Sequence, residues 1–332
     1  MSTETGRMTL YAPAKINLLL RVLGKRPDGY HDLETWMQKL LLHDILELEI
    51  YTGRGVVFSC DDPSVPSDTT NLAARAAEAF FAVCAKAGGY GVRIHLQKKI
   101  PVAAGLGGGS SDAGTVLRGL NAFFGGELSE KELISIARPL GADVPFFAVE
   151  HDAVLAGGIG DVMKPVASMD DCSFILVNPG FFVSTAWVFQ NFTLTRQSKN
   201  SKLSCFQKYQ AKPLSFTEMQ NDLEQVTSAK YPEIEKIKGV LTAAGASKAL
   251  MSGSGPTVFG IFPDTEKTTV SGLERIVCDL RRQYGAKVYL SRACTGASPS
   301  GKAPGFDPGI RRFESCRPSQ VVTVIAVRRE SA

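Results

Sequence analysis

Four glycines in five positions, Gly105, Gly107, Gly108 and Gly109 in PVAAGLGGGSSDAG (residues 101–114), constrain this chain more than any other feature. Glycine weakens a helix or strand by roughly 0.5–1 kcal/mol per residue relative to alanine, so this density marks a sharp turn or a close backbone approach. Before the run, VRIHL alternates Val92, Ile94 and Leu96, the period of a half-buried strand; after it, Ala113, Val116, Leu117 and Leu120 recur at helical spacing. Strand, glycine loop and helix N-terminus present unpaired backbone N–H groups and the positive end of a helix dipole to an anion. The pattern predicts a polyphosphate cradle; the alternative is a flexible loop in which Ser110, Ser111 or Asp112 caps an ordinary helix.

Spacing excludes two familiar phosphate loops. A Walker A loop ends in Gly-Lys-Ser/Thr, whereas Gly109 is followed by Ser110. The dinucleotide fingerprint G-x-G-x-x-G fails because Gly105 and Gly107 lead to Ser110, and Gly107 and Gly109 lead to Asp112.

A length of 332 residues suggests two domains, and 44% hydrophobic with 21% charged residues describes an ordinary soluble chain. No apolar run approaches the ~20 residues of a membrane span, and the N-terminus lacks the apolar core of a signal peptide. The seven cysteines are scattered without CxxC or metal spacing, which predicts reduced thiols in a cytoplasm. Residues 293–332 hold six basic and three acidic residues, hence three of the four net positive charges, and the near-neutral body argues against a nucleic-acid partner.

Along the chain, residues 8–50 read as strands flanking a turn at Arg26-Pro-Asp-Gly29. Residues 71–87 read as an alanine-rich helix closed by Gly88-Gly89, and 128–138 as another with Ser129 as N-cap. Residues 151–160 are expected to turn from a first domain into a second, which carries strands at 174–177, 257–262 and 286–290 and helices at 233–243 and 268–283. The polar run 193–212 reads as a surface insertion.

The loop opens Pro-x-x-x-Gly-Leu-Gly from Pro101, and APAKINLLLRVLGKRPDGYHDLETWMQKL (12–40), GADVPFF (141–147) and MSGSGPTVFGIF (251–262) flank it. In these motifs, over about residues 8–292, the chain resembles the GHMP kinase superfamily, and within it the branch acting on a diphosphocytidyl methylerythritol in non-mevalonate isoprenoid synthesis. The resemblance implies an α+β two-domain GHMP kinase fold. A ribosomal protein S5 domain 2-like N-terminal domain (1–155) would carry the loop and the catalytic residues, and a ferredoxin-like C-terminal domain (156–292) would close the ligand cleft.

Phosphoryl transfer needs an aligned acceptor hydroxyl, positive charge on the transferring group and often a carboxylate to receive the hydroxyl proton. The resemblance places Asp143 at the catalytic aspartate; read alone, it could be a helix cap. Lys15 is a lone lysine in an apolar strand, which must be paired if buried, and an Asp143–Lys15 pair would meet both needs. Around ATP the resemblance places Pro101, Gly105, Leu106, Gly107, Gly108, Gly109, Ser110 and Ser111, with Lys98 near the nucleotide and Asn71 on the adenine side. Mg²⁺ would ride on the phosphates, within reach of Ser110 or Ser111. Lys98 and Lys99 read equally as solvated strand-end charges.

On the acceptor side, the resemblance has Tyr30 stacking on cytosine, His31 hydrogen-bonding it, and Thr185 and Phe189 completing the base pocket. Asn17, on the same strand face as Lys15, would meet the methylerythritol hydroxyls. Gly253, Ser254 and Gly255 match a third-motif loop that closes over the first; a plain helix-to-strand turn is the alternative. The implied reaction passes the γ-phosphate of ATP to the 2-hydroxyl of this small-molecule substrate, by a monomer or weak homodimer with no nucleic-acid or membrane partner. A homoserine or phosphomevalonate kinase, or a catalytically silent binding protein of the same fold, stay open as alternatives.

The chain runs on beyond the resemblance. Arg312-Phe-Glu-Ser315 back-translates as CGGTTCGAATCC, which contains the GGTTCGAATC string of transfer-RNA T arms. Residues 293–332 are therefore expected to be a dispensable, disordered tail, produced by read-through into a downstream transfer-RNA gene or by a frame error.

Overall fold

The computed structural model describes residues 5–160, 162–193, 214–266 and 268–295, and the backbone of 325–326. Two long strands, β1 (Gly6–Lys25) and β2 (His31–Thr52), form an antiparallel hairpin. Its turn is the expected one: Gly29 adopts φ 87°, which a side chain would resist, and its N–H donates to the Arg26 carbonyl at 3.1 Å. β3 (Gly55–Cys60) lies parallel to β4 (Tyr90–Gln97), which pairs with β2, and α1 (Leu72–Val83) makes the crossover. α2 (Gly108–Phe123) follows the glycine loop, then α3 (Glu130–Ala137), whose N-cap Ser129 forms a capping box with Glu132.

Leu48, Val92 and Ile94 of the sheet meet Ala76 and Phe80 of α1 and Val116 and Leu120 of α2 in a first core. Beyond the register irregularity between Pro13 and Lys15, β1 turns to a second core, where Ala14, Ile16 and Leu18 pack with Phe174, Leu176, Phe259 and Ile261. Proline has no N–H for the ladder, which suits it to such a break.

After the short α4 (Val144–Ala148), residues 153–157 depart from expectation. Instead of a turn they form β5 (Ala153–Gly157), buried throughout, which pairs with β2 on one side and β6 (Val162–Pro165) on the other. The apolar run AVLAG is too short to reveal a period, and the expected turn shrinks to the glycine-rich residues 158–160. A boundary at 155/156 therefore falls inside a strand of the first sheet.

β7 (Cys172–Val177) opens the second sheet, followed by α5 (Thr185–Asn191), the two-residue β8 (Gln220–Asn221), α6 (Glu224–Lys230) and α7 (Glu233–Ala243). β9 (Lys248–Met251), β10 (Val258–Pro263), α8 (Val270–Tyr284) and β11 (Val288–Arg292) complete an antiparallel sheet in the order β11-β7-β10-β9. Ile234, Ile237 and Leu241 of α7 and Leu273, Val277 and Leu280 of α8 pack in one core with it, a ferredoxin-like β-α-β-β-α-β layer.

The expected tail begins later than residue 293. Ala293 bridges to Leu40, the Cys294 N–H donates to the Lys39 carbonyl at 2.9 Å, and both residues are buried. β12 (Ile325–Ala326) pairs antiparallel with Gly6 and Arg7, against the expectation of disorder there. The rest of that tail, and all of the expected insertion at 193–212 except Thr193, lie outside the described residues.

Candidate active site

The glycine loop leads directly into α2, and Gly107 stands at its N-cap with φ 72° and no side-chain cap. A helix start leaves its first N–H groups without intrahelical partners, so this end is open to an anion. A Cβ on Gly107 would lie 3.0 Å from Lys15 Cγ and 3.1 Å from the Phe147 ring. A Cβ on Gly105, at φ 76°, would lie 2.2 Å from the Ser252 carbonyl oxygen. Both positions demand glycine for space as well as for conformation.

The third-motif loop packs against the first. Ser252 Oγ donates to the Gly105 carbonyl at 2.9 Å and the Thr257 N–H to the Ala104 carbonyl at 3.3 Å. Asn221 Nδ2 fixes the loop from below by donating to the carbonyls of Met251 and Gly253, each at 2.7 Å. Thr185 Oγ1 and Ser254 Oγ share a hydrogen bond of 2.7 Å, tying α5 to the same loop.

Lys15 stands beneath this junction. Its backbone N–H donates to the Leu106 carbonyl at 2.9 Å, and its ammonium lies 3.3 Å from Asp143 Oδ2 and donates to Asn17 Oδ1 at 2.6 Å. Asn17 Nδ2 donates to Thr35 Oγ1 at 2.8 Å, which donates to the Leu19 carbonyl. Lys15 is buried, while the Asp143 side chain keeps 34% of its surface, enough to meet a ligand. Asp143 occupies the N-cap of α4 but makes no capping bond with its side chain, which leaves the carboxylate to the lysine.

The base-side residues also converge. His31 stacks on Phe189 with ring centroids 5.2 Å apart and planes 24° from parallel, and Tyr30 beside them is 61% exposed. Burial, with Lys25 nearby, pushes the His31 pKa down from its ordinary value.

Other expected residues have partners within the protein, and Lys98 Nζ lies 3.2 Å from where a Cβ on Gly108 would stand. Asn71 caps α1, accepting from the N–H groups of Ala73 and Ala74 and donating to the Pro66 carbonyl. The Lys98 ammonium is neither solvated nor free: it donates to Asp44 at 2.5 Å and to Asp112 at 3.1 Å. Burial lifts the Asp112 carboxyl to about 8, with Lys98 opposing and Asp44 adding to the rise. Burial pulls the Lys98 ammonium down, but Asp112 and Asp44 outweigh it and the net shift is upward. Leu106 turns its side chain into the core, and the Ser111 hydroxyl is buried without a partner, whereas Ser110 is half-buried. Asp44, Thr35, Asn221 and Ser252 were not foreseen; their polar side chains within apolar strands or beside glycines were the available signal.

The model of the GHMP kinases N terminal domain matches residues 71–151, and that of the GHMP kinases C terminal matches 210–278. The 4-diphosphocytidyl-2-C-methyl-D-erythritol kinase of Desulfotalea psychrophila is 49% identical over 287 residues, which span 86% of this chain and 95% of that protein. The chain belongs to the 4-diphosphocytidyl-2-C-methyl-D-erythritol kinase family of GHMP kinases. A second kinase of that name, from Geobacter sulfurreducens, is 47% identical over 78% of this chain and 91% of its own length. A crystal structure of a 4-(cytidine 5'-diphospho)-2C-methyl-D-erythritol kinase superimposes with a TM-score of 0.70 at 34% identity, covering 87% of this chain and 100% of the other. The homoserine kinase of Cytophaga hutchinsonii shares the fold at a TM-score of 0.65 and 18% identity, over 86% of this chain and 95% of its own. Architecture alone therefore does not choose the acceptor within the GHMP kinases.

Proposed function

We infer that this kinase transfers the γ-phosphoryl group of ATP to 4-diphosphocytidyl-2-C-methyl-D-erythritol, at its 2-hydroxyl, and releases ADP. The observation that carries the reading is the Lys15–Asp143 pair, 3.3 Å apart, beside a glycine loop whose N-cap, Gly107, leaves the start of α2 without a side-chain cap. The half-exposed carboxylate is disposed to orient the acceptor hydroxyl and receive its proton. The buried ammonium holds that carboxylate in place and puts positive charge beside the transferring group.

Backbone N–H groups at Gly108, Gly109 and Ser110 would cradle the phosphates. Tyr30 and Phe189, with His31 at the ring edge, are the aromatic and hydrogen-bonding groups that a cytosine requires. The half-buried Ser110 hydroxyl and the Asp143 carboxylate are hard oxygen donors of the kind Mg²⁺ takes alongside phosphate oxygens, and the ion when bound would supply charge neutralisation. We place the enzyme in the cytoplasm, a reading supported by the free cysteines among the described residues, and take it as a monomer or weak homodimer.

The test is Asp143→Asn, read by ADP formation with the cytidyl substrate. Loss of a general base is expected to lower kcat by about 10²-fold or more, with the KM for ATP held within a few-fold. Turnover within a few-fold of the parent would refute the assignment.

A further inference from the structure

We propose that Lys39 is a positioning residue for phosphoryl transfer, holding the far end of the short helix whose near end carries Asp143. The proposal rests on Asp143 facing the acceptor hydroxyl.

Helix α4 has only five residues, with Asp143 at its N-cap and Val149 at its C-cap. A helix this short does not hold its own shape, so the direction of Asp143 must come from outside. Two lysines supply it. Lys15 and Lys39 lie directly opposite each other on β1 and β2. Lys15 pairs with Asp143 at 3.3 Å, and Lys39 Nζ donates to the Val149 carbonyl at 2.8 Å, one of the acceptors that a helix end leaves without a partner. One cross-strand pair thus grips both ends of α4.

The middle of the helix is gripped as well. Lys39 Nζ sits 4.8 Å from the centroid of the Phe146 ring, and the Phe147 ring is the surface that a Cβ on Gly107 would meet at 3.1 Å. Freeing Val149 would therefore loosen the carboxylate and one wall of the phosphate cradle together.

A filler role alone does not account for a lysine here. The side chain is wholly buried, and desolvation pushes its ammonium down to about 7, with Arg118 repelling it and Asp152, Cys294 and Glu150 opposing the shift. A methionine would fill the same space without that penalty. What it lacks is the N–H donor.

The experiment compares Lys39→Met, which keeps the length and removes the donor, with Lys39→Gln, which keeps a donor, in the parent and in the Asp143→Asn background. For a residue acting through Asp143, Lys39→Met should lower kcat about tenfold with both KM values within twofold, in line with the sensitivity of transfer to misplacement of its groups. Lys39→Gln should recover part of the loss. In the Asp143→Asn background the same substitution should change the residual rate less than twofold, because the two sites are coupled. Full activity of Lys39→Met, an equal effect in both backgrounds, or failure of both variants to fold would each overturn the proposal. An active Asp143→Asn single variant would instead overturn the carboxylate assignment on which it rests.

Discussion

Lys15, Lys39 and Lys98 meet the same problem, a charge taken out of water, in three ways. Lys15 has a carboxylate and an amide oxygen, Lys98 has two carboxylates, and Lys39 has only a backbone carbonyl within hydrogen-bonding reach among the described residues. The consequence for Lys39 is a pH dependence whose sign is fixed. Its ammonium titrates near 7 in the folded chain against the ordinary 10.5, so between those values the unfolded chain holds a proton that the folded chain does not. Stability should therefore rise with pH across that window and lose this contribution below it, by at most about 1.4 kcal/mol per pH unit. Denaturant titrations from pH 6 to 10 should show the slope in the parent and a reduced slope in Lys39→Met; equal slopes would mean that the amine stays charged. Lys15 was legible as a residue needing a partner because it interrupts an apolar strand. Lys39 interrupts one too, in WMQKLLL, but its acceptor is a main-chain oxygen 110 residues away, which no side-chain pattern announces.

Among elements, the glycine loop was readable because strand, turn and helix each left its own period, and the structure begins α2 one residue after Gly107. The first and third motifs were also legible as loops, yet their direct contact was not, since it is made by main-chain atoms. Gly105 tests that contact. At φ 76°, with Ser252 oxygen 2.2 Å from any Cβ, Gly105→Ala should force the loops apart and lower stability by about 1–3 kcal/mol. The KM for ATP should rise about tenfold while far-UV circular dichroism is retained. An unaltered KM and melting temperature would show that the two loops can part without consequence. β5 marks the opposite case, where residues 151–160 read as a turn, but the strand at 153–157 is recognisable only from its neighbours on both edges.

At the scale of the molecule, the proposed base pocket draws on both layers. Tyr30 and His31 lie at the tip of the first hairpin, whereas Thr185 and Phe189 come from α5, which follows the first strand of the second sheet. Replacing Phe189 by Ala should raise the KM for the cytidyl substrate about tenfold, since one base-on-aromatic face contributes roughly 1–3 kcal/mol, and leave the KM for ATP within twofold. Parallel rises in both constants would reassign Phe189 to the small core it shares with Val188 and Leu223. The bonds from Ser252 to Gly105 and from Thr257 to Ala104 have a temporal meaning too. During synthesis the phosphate loop emerges roughly 150 residues before the segment that gives it shape, and domains generally fold as units in that order. The growing polypeptide therefore passes much of its time on the ribosome with half of its nucleotide site unbraced, and competence arrives late, when the second layer docks.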